Sequence, residues 1–398
     1  MSLEFHQGRL FFGKDIDLTE ILKKNQGHAC YVYHLQVVKE RYQSLVGSLQ
    51  SDYQLKVHYA MKANANKDIL KTFKEMGSGV DTVSGGEIAI ALDNGFQASD
   101  VIFSGVAKSK EELALAIEKG IKQINVESPQ ELIRIGEMAK SVNKKVAVAF
   151  RMNPEVSPET HPYITTGMSE NKFGMDKSFL PELLRILRRF PQNLYLRGLT
   201  MHIGSQLLEL TALAEGIQKL RSIYHDLGVL GFAMESLDIG GGVGIHYKNN
   251  DDEEDFTLIQ NYGAMVRETL KDYRGELIIE PGRVLVGRCG VLLCQVEYIK
   301  QTPYKSFAIV NTGMHHLIRP ALYQASHRIL PLKEQKEASK KLYDVVGPIC
   351  ESSDFLAKNY PLPKLKQGDG LAICDSGAYG YSMASTYNAH AMPNEFSF

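Results

Sequence analysis

The chain has 398 residues, 44% apolar and 23% charged, with a formal net charge of −1. That length suits a large domain plus a smaller one, and 45 basic against 46 acidic side chains leave no net field to hold a nucleic acid or an anionic membrane. No apolar run approaches the roughly 20 residues that span a bilayer, the N-terminus has no secretory pattern, and five scattered cysteines without a CxxC pair predict reduced thiols in the cytoplasm rather than a disulfide framework or a zinc site.

In chain order, "GRLFFGK" comes first and reads as a strand lying before the repeating part of the chain. From about residue 54, short apolar runs alternate with amphipathic stretches. The predicted strands are "LKVHYAM", "GVDTVS", "VIFSG", "INVES", "VAVAFRMN", "LRGLTMHIG", "SLDIGGG" and "LIIEPGR". Between them lie helical patterns such as "NKDILKTFKEM" and "SKEELALAIEKG". "SKEE" and "SPQE" have the Ser-x-x-Glu form of a capping box, and Gly95 and Gly120 suit left-handed helix ends. Eight such units predict a (β/α)8 barrel over residues 30–284, with its chemistry at the C-terminal strand ends. A doubly wound sheet is the alternative, disfavoured because no early Gly-x-Gly-x-x-Gly is present. The acidic run "NNDDEED" (249–255) reads as a solvated loop, since a hard-cation loop needs spaced ligands and turn glycines. After Arg283 the runs "CGVLLCQVEYIK", "KSFAIVNTG", "LYDVVGPICE" and "GDGLAICDSG" predict a β-rich, sandwich- or barrel-like domain of residues 285–398 that also takes residues 1–29.

Candidate chemistry gathers at the predicted strand ends. Lys62 directly follows strand one, and it is either a lysine reaching out to solvent or a working amine. Asp81 and Ser84 fall at strand two, Ser104 at strand three, and His202, Ser205 and Gln206 at strand six. Gly240, Gly241 and Gly242 end strand seven, and Glu280, Pro281, Gly282 and Arg283 follow strand eight. Loops seven and eight of such barrels are the habitual phosphate cradle. The triple glycine lets backbone N–H groups approach an anion, with Arg283 adding a charge-assisted bond, and the competing reading is a tight turn with no ligand. For His202 the competing reading is a core histidine. Lysine, phosphate cradle and facing acid together match pyridoxal phosphate bound as a Schiff base to Lys62. Glu280 would then keep the pyridine nitrogen protonated and His202 would stack on the ring.

At this point the chain resembles the fold type III pyridoxal-phosphate decarboxylases. The matching segments are "YAMKANAN" (59–66), "GSGVDTVSGGE" (77–87), "VIFSGVAKS" (101–109), "FRMNPEV" (150–156), "THPYITTG" (160–167), "NKFGM" (171–175) and "HIGSQ" (202–206). They continue in register as "DIGGGVGI" (238–245), "EPGR" (280–283), "LIRPALY" (317–323), "VVGPICESSDFLA" (345–357) and "SGAYGYSMASTYN" (376–388). The resemblance implies that Lys62, Asp81, His202, Ser205, Gly240–Gly242, Glu280–Arg283 and Tyr379 bind the cofactor. It further implies that Arg283, Arg319, Tyr323, Glu351 and Tyr379 bind substrate, and that Cys350 donates a proton to Cα. The ornithine-specific relatives usually carry an aspartate where Glu351 stands and do not need two arginines. "PICES" with "LIRPALY" therefore implies a substrate whose far end is itself an amino acid, meso-diaminopimelate, converted to L-lysine and carbon dioxide. A homodimer with shared sites is implied, Cys350 and Glu351 serving the partner's barrel. The rival expectations are a decarboxylase for another amino acid, a catalytically dead regulator and a racemase.

Two departures from the resemblance are visible. Asn311 and Thr312 stand where Asp-Ala is expected, followed by His315 and His316, whose metal-binding alternative is disfavoured because neighbours in an extended segment face apart. The chain also ends at "NEFSF", earlier than the resemblance implies, which leads to the expectation of a missing closing element.

Overall fold

A computed structural model describes residues 3–156, 172–248, 252–335 and 339–398. The "THPYITTG" motif, Asn171 of "NKFGM" and residues 249–251 of the acidic run lie outside the described residues. Two compact units divide the chain, one of residues 42–244 and 257–282, the other of residues 1–41, 245–256 and 283–398.

The second unit opens with β1 (Leu3–His6), β2 (Arg9–Phe12) and β3 (Ile16–Asp17), a small antiparallel sheet. The predicted "GRLFFGK" strand is β2. Its ties to the rest of its unit include a bridge from Arg9 to Lys333, a bond from Leu10 N–H to Leu332 O and an edge contact of Phe12 with His34. It is β4 (Cys30–Tyr33) that enters the large sheet.

The first unit holds eight parallel strands, β5 (Gln54–Ala60), β6 (Gly79–Thr82), β7 (Val101–Phe103), β8 (Gln123–Val126), β9 (Val146–Arg151), β10 (Leu194–Thr200), β11 (Ser236–Asp238) and β12 (Glu276–Ile279). They close into a barrel in chain order, β12 pairing with β5. The barrel covers its strands on both faces, and β6, β7, β8 and β11 are buried throughout, with Asp81, Asn125 and Asp238 among their buried residues. Several helices start and stop at side-chain and glycine caps. Ser109 accepts from Glu112 N–H while Glu112 reaches back to Ser109 N–H, and Gly120 ends that helix at φ 65°. At Ser128 only half the box forms. Glu131 N–H bonds Ser128 Oγ, but the Glu131 carboxylate takes Glu127 N–H and Lys108 instead.

The second unit is completed by β13 (Gly290–Gln301), β14 (Ser306–Val310), β15 (Ile329–Pro331), β16 (Lys341–Val346), β17 (Phe355–Leu362), β18 (Gly370–Ile373) and β19 (Asn394–Ser397). Their order is β15-β18-β13-β14-β16-β17, and β4 pairs antiparallel with β13 and parallel with β19. Residues 30–41 and 245–256 group with the β-rich unit, because Cys30–Tyr33 finds its hydrogen-bond partners in β13 and not in the barrel. The final residues, in β19, supply an edge for β4. Among the described residues no helix is long and apolar enough to cross a membrane.

Candidate active site

Parallel register carries the barrel side chains to one end. Ala60 on β5 pairs with Asp81 on β6, and the chain then turns through a short 3-10 helix, Met61–Ala63. Met61 and Ala63 point inward, fully buried, and hold the turn, while Lys62 reaches across so that its Nζ lies 3.0 Å from Asp81 Oδ2. Lys62 is one-third exposed and Asp81 is fully buried. The two readings of Lys62 are thereby separated: it is neither loose at a sheet edge nor sealed in the core, but an accessible amine held by a buried acid. Among the described residues the other oxygen, Asp81 Oδ1, is buried with no hydrogen-bond partner.

Glu280 follows β12, with its backbone N–H on Gly240 O at 2.8 Å and its Oε1 3.4 Å from Asn125 Nδ2. Burial first, then the charges of Asp238 and Asp81, hold the Glu280 carboxyl well above its usual range, with Lys62 opposing them. Burial likewise pushes Asp238 up to about 7. Pro281 O accepts from Ala60 N–H at 3.0 Å, and a Cβ on Gly282 would lie 3.2 Å from those of Ala60 and Ala63. The "EPGR" turn is thus packed on the turn that carries Lys62.

The loops after β10 and β11 are laced together by Leu207 N–H to Gly242 O and Gly244 N–H to Leu207 O, each 2.9 Å. That close approach needs glycine, since a Cβ on Gly241 would fall 2.0 Å from Glu280 O and one on Gly242, at φ 108°, 2.4 Å from Gly204 O. Of the three expected cradle donors Gly240 is already committed, its N–H donating to Asp238 Oδ1 at 2.8 Å. Gly241 N–H also points at His202 Nδ1, 3.4 Å away. Burial, with the Lys62 and Arg151 charges, holds the His202 pKa well below its usual value, so the ring is neutral. Ser84, expected near the site, caps the helix Gly85–Asp93 by accepting from Glu87 N–H.

The second unit assembles a different cluster. The short helix Arg319–Tyr323 puts its first and last residues on one face. Arg319 stacks 4.5 Å over the Tyr247 ring, and Arg283 lies 4.7 Å over Tyr379 while donating to Tyr247 Oη at 2.8 Å. Both guanidiniums are buried, and burial, eased by Tyr247, pulls the Arg319 pKa down. Tyr323 is half-buried beside this cluster. Cys350 is exposed, and the other four cysteines are buried. Asp354 staples its loop by accepting from Ile349 N–H at 2.7 Å and from Met314 N–H at 2.6 Å. The neighbouring Glu351 accepts from Tyr387 Oη at 2.6 Å. The expectation that His315 and His316 face apart is corrected: the segment is a turn, and the rings pack 3.7 Å apart.

Sequence reasoning assigned no role to Asn125, Asp238, Tyr247 or His327. Asp238 lay in plain view within "DIGGGVG". The other three carry no motif, and only the fold shows what they touch.

A parallel barrel that gathers an accessible lysine and buried acids at its strand ends suits nucleophilic attack of an amine on a carbonyl, the chemistry of Schiff-base enzymes. Residues 35–287 match the family described as "Pyridoxal-dependent decarboxylase, pyridoxal binding domain". The chain is 39% identical to the diaminopimelate decarboxylase of Aquifex aeolicus over 386 residues, 97% of this chain and 90% of that one. It is 42% identical to that of Neisseria meningitidis serogroup A over 363 residues, 91% and 87% of the two chains. The crystal structure of diaminopimelate decarboxylase from Helicobacter pylori complexed with L-lysine superposes with a TM-score of 0.89 at 36% identity, covering 96% of this chain and 94% of that one. The chain belongs to the diaminopimelate decarboxylase family of pyridoxal-dependent enzymes.

The barrel residues fit the cofactor. Asp81, Asp238 and Glu280 are buried carboxyls, Lys62 pairs with Asp81 and opposes the upward shift of Glu280, and one oxygen of Asp81 has no hydrogen-bond partner among the described residues. Such a site favours a ligand that carries a proton or positive charge on its ring, and Lys62 supplies the accessible amine that an aldehyde requires.

Proposed function

We propose that the protein removes one carboxylate of meso-diaminopimelate as carbon dioxide and leaves L-lysine, with pyridoxal phosphate as cofactor. The observation that carries the substrate assignment is Arg319. It is buried over Tyr247, and among the described residues no carboxylate of the chain pairs with it. A buried guanidinium without an acid partner is costly, and a second carboxylate on the substrate removes that cost. Incubation with pure meso, LL and DD diaminopimelate, with detection of lysine and carbon dioxide, tests the reading. Release from the meso isomer alone is expected, and release from none would end it.

Pyridoxal phosphate, when bound, supplies an electron sink conjugated to the substrate's Cα. Lys62 Nζ would hold its aldehyde, with Asp81 keeping the amine at the strand end. Ser205, Gly241, Gly242, Pro281 and Gly282 would receive the phosphate with Tyr379, neutral His202 would lie against the ring, and Glu280 would face the ring nitrogen. Arg283, Arg319 and Tyr323 would grip the distal carboxylate and Glu351 the distal amine. Arg319→Lys should raise KM for diaminopimelate about ten- to hundredfold, because a point ammonium cannot replace a planar two-pronged grip. Cofactor absorbance should stay unchanged. A normal KM with weakened cofactor binding would move this arginine to the other ligand.

The working unit in this reading is a homodimer in the cytoplasm, with Cys350 and Glu351 acting in the partner's site. What supports it is that Cys350, alone among the five cysteines, is exposed, on a loop whose turn Asp354 fixes. As proton donor to Cα, Cys350 must be a thiol at the working pH. Cys350→Ala should slow product release to a few per cent or less. Mixing inactive Lys62→Ala and Cys350→Ala subunits should restore about one competent site per mixed dimer. No recovery in dimers shown to be mixed would place Cys350 in its own subunit's chemistry or in none.

A further inference from the structure

His327 stands behind Arg319. Its Nδ1 lies 2.9 Å from Cys374 O, and its Nε2 lies 2.7 Å from Arg319 Nη1. A carbonyl oxygen can only accept, so Nδ1 carries the ring proton and donates it. Nε2 is then a lone pair, and Arg319 donates to it. The tautomer is fixed from both sides. The ring also packs edge-on against Tyr247, with centroids 5.2 Å apart, and Tyr247 forms the face under Arg319. Burial, with the Arg319 charge beside it, pulls the His327 pKa down to about 3. Among the described residues Arg319 is therefore held by a ring face and one neutral acceptor, while its buried Nε has no partner.

The choice of acceptor matters. A carboxylate at position 327 would fix the guanidinium equally well but would neutralise it, and a substrate carboxylate would then have to displace an internal ion pair. An imidazole fixes the direction of one N–H and leaves the full charge and the other N–H groups for the ligand. We infer that His327 is a positioning residue that aims Arg319 at the distal carboxylate, and so sets the preference for a dicarboxylic diamino acid over a diamine-ended one. This rests on the reading of Arg319 given above.

The test compares two substrates on the holoenzyme, meso-diaminopimelate and D-lysine, which keeps the reacting carboxylate but lacks the distal one. His327→Phe, which keeps a ring and loses the acceptor, should lower kcat/KM for diaminopimelate about ten- to hundredfold, mostly through KM. The D-lysine rate should change less than about twofold. His327→Gln, whose amide oxygen can accept, should recover most of the loss. His327→Glu, which keeps an acceptor and should fold because its charge is paired, should raise KM for diaminopimelate as strongly as Arg319→Lys does. Equal losses on both substrates in His327→Phe would reduce the histidine to a packing role and overturn the inference. A near-normal KM in His327→Glu would also overturn it. If Arg319→Lys itself fails to discriminate between the two substrates, the reading of Arg319 falls and the inference with it. If Arg319→Lys discriminates and the His327 variants do not, the inference alone falls.

Discussion

Lys62→Ala should cut turnover about a thousandfold or more in assays saturated with cofactor. The residue is placed for chemistry more than for packing. It is one-third exposed, flanked by the fully buried Met61 and Ala63 that hold the turn without it. Alanine alone is an ambiguous test, because it leaves Asp81 buried without its cation and with Oδ1 already unpartnered. Lys62→Arg resolves the ambiguity. A guanidinium keeps the charge beside Asp81 and is always protonated, so it pairs as before but cannot act as a nucleophile. Both variants should be inactive, Lys62→Arg should melt near the wild type, and neither should show the borohydride-sensitive visible absorbance of covalently held cofactor. Turnover near wild type in Lys62→Arg would remove Lys62 from the chemistry.

Much of the barrel was legible because its signals are local. Most strand positions are buried, and several helices are announced by their own caps, as Ser109 and Gly120 announce theirs. What was illegible depends on partners far along the chain. "CYVY" has the texture of a barrel strand, and nothing within it says that its hydrogen bonds go to residues 290–293. Long-range pairing leaves no local mark. The same holds at the candidate site. Lys62, Glu280 and the glycines stood out at strand ends, yet whether Gly240 offers its N–H to a ligand turned on Asp238 Oδ1 taking it first. Asn125 reads as one more residue of a buried strand until it is seen 3.4 Å from Glu280. His327 reads as a lone histidine until Cys374 O, 47 residues away, fixes its tautomer. The twin histidines misled because the periodicity argument for opposite faces holds only in extended chain, and residues 314–316 form a turn.

Glu280→Gln should lower turnover about a hundred- to thousandfold while cofactor remains bound. In the protein without cofactor, burial and the charges of Asp238 and Asp81 keep a proton on the Glu280 carboxyl well above the usual range. The group therefore holds a proton ready for a base placed against it. With pyridoxal phosphate bound, Glu280 would face the ring nitrogen and hold a proton there, and a positive charge on that nitrogen would favour the ionised carboxylate and oppose the shift. Glutamine has the same shape but no proton to give. Its amide N–H would donate to the ring nitrogen's lone pair and hold the ring neutral, weakening the electron sink. Stability should not follow activity. A carboxyl held protonated in the fold but ionised in the unfolded chain costs stability at neutral pH; an amide is neutral in both states, and its oxygen can still accept from Asn125 Nδ2. The cofactor-free Glu280→Gln protein should therefore melt at or above the wild-type temperature at neutral pH. The comparison needs kcat under cofactor saturation and Tm without cofactor, measured on the same preparations. Turnover within a few-fold of wild type would show that Glu280 does not control the ring nitrogen, and a large fall in Tm would show that the carboxyl's main work is structural.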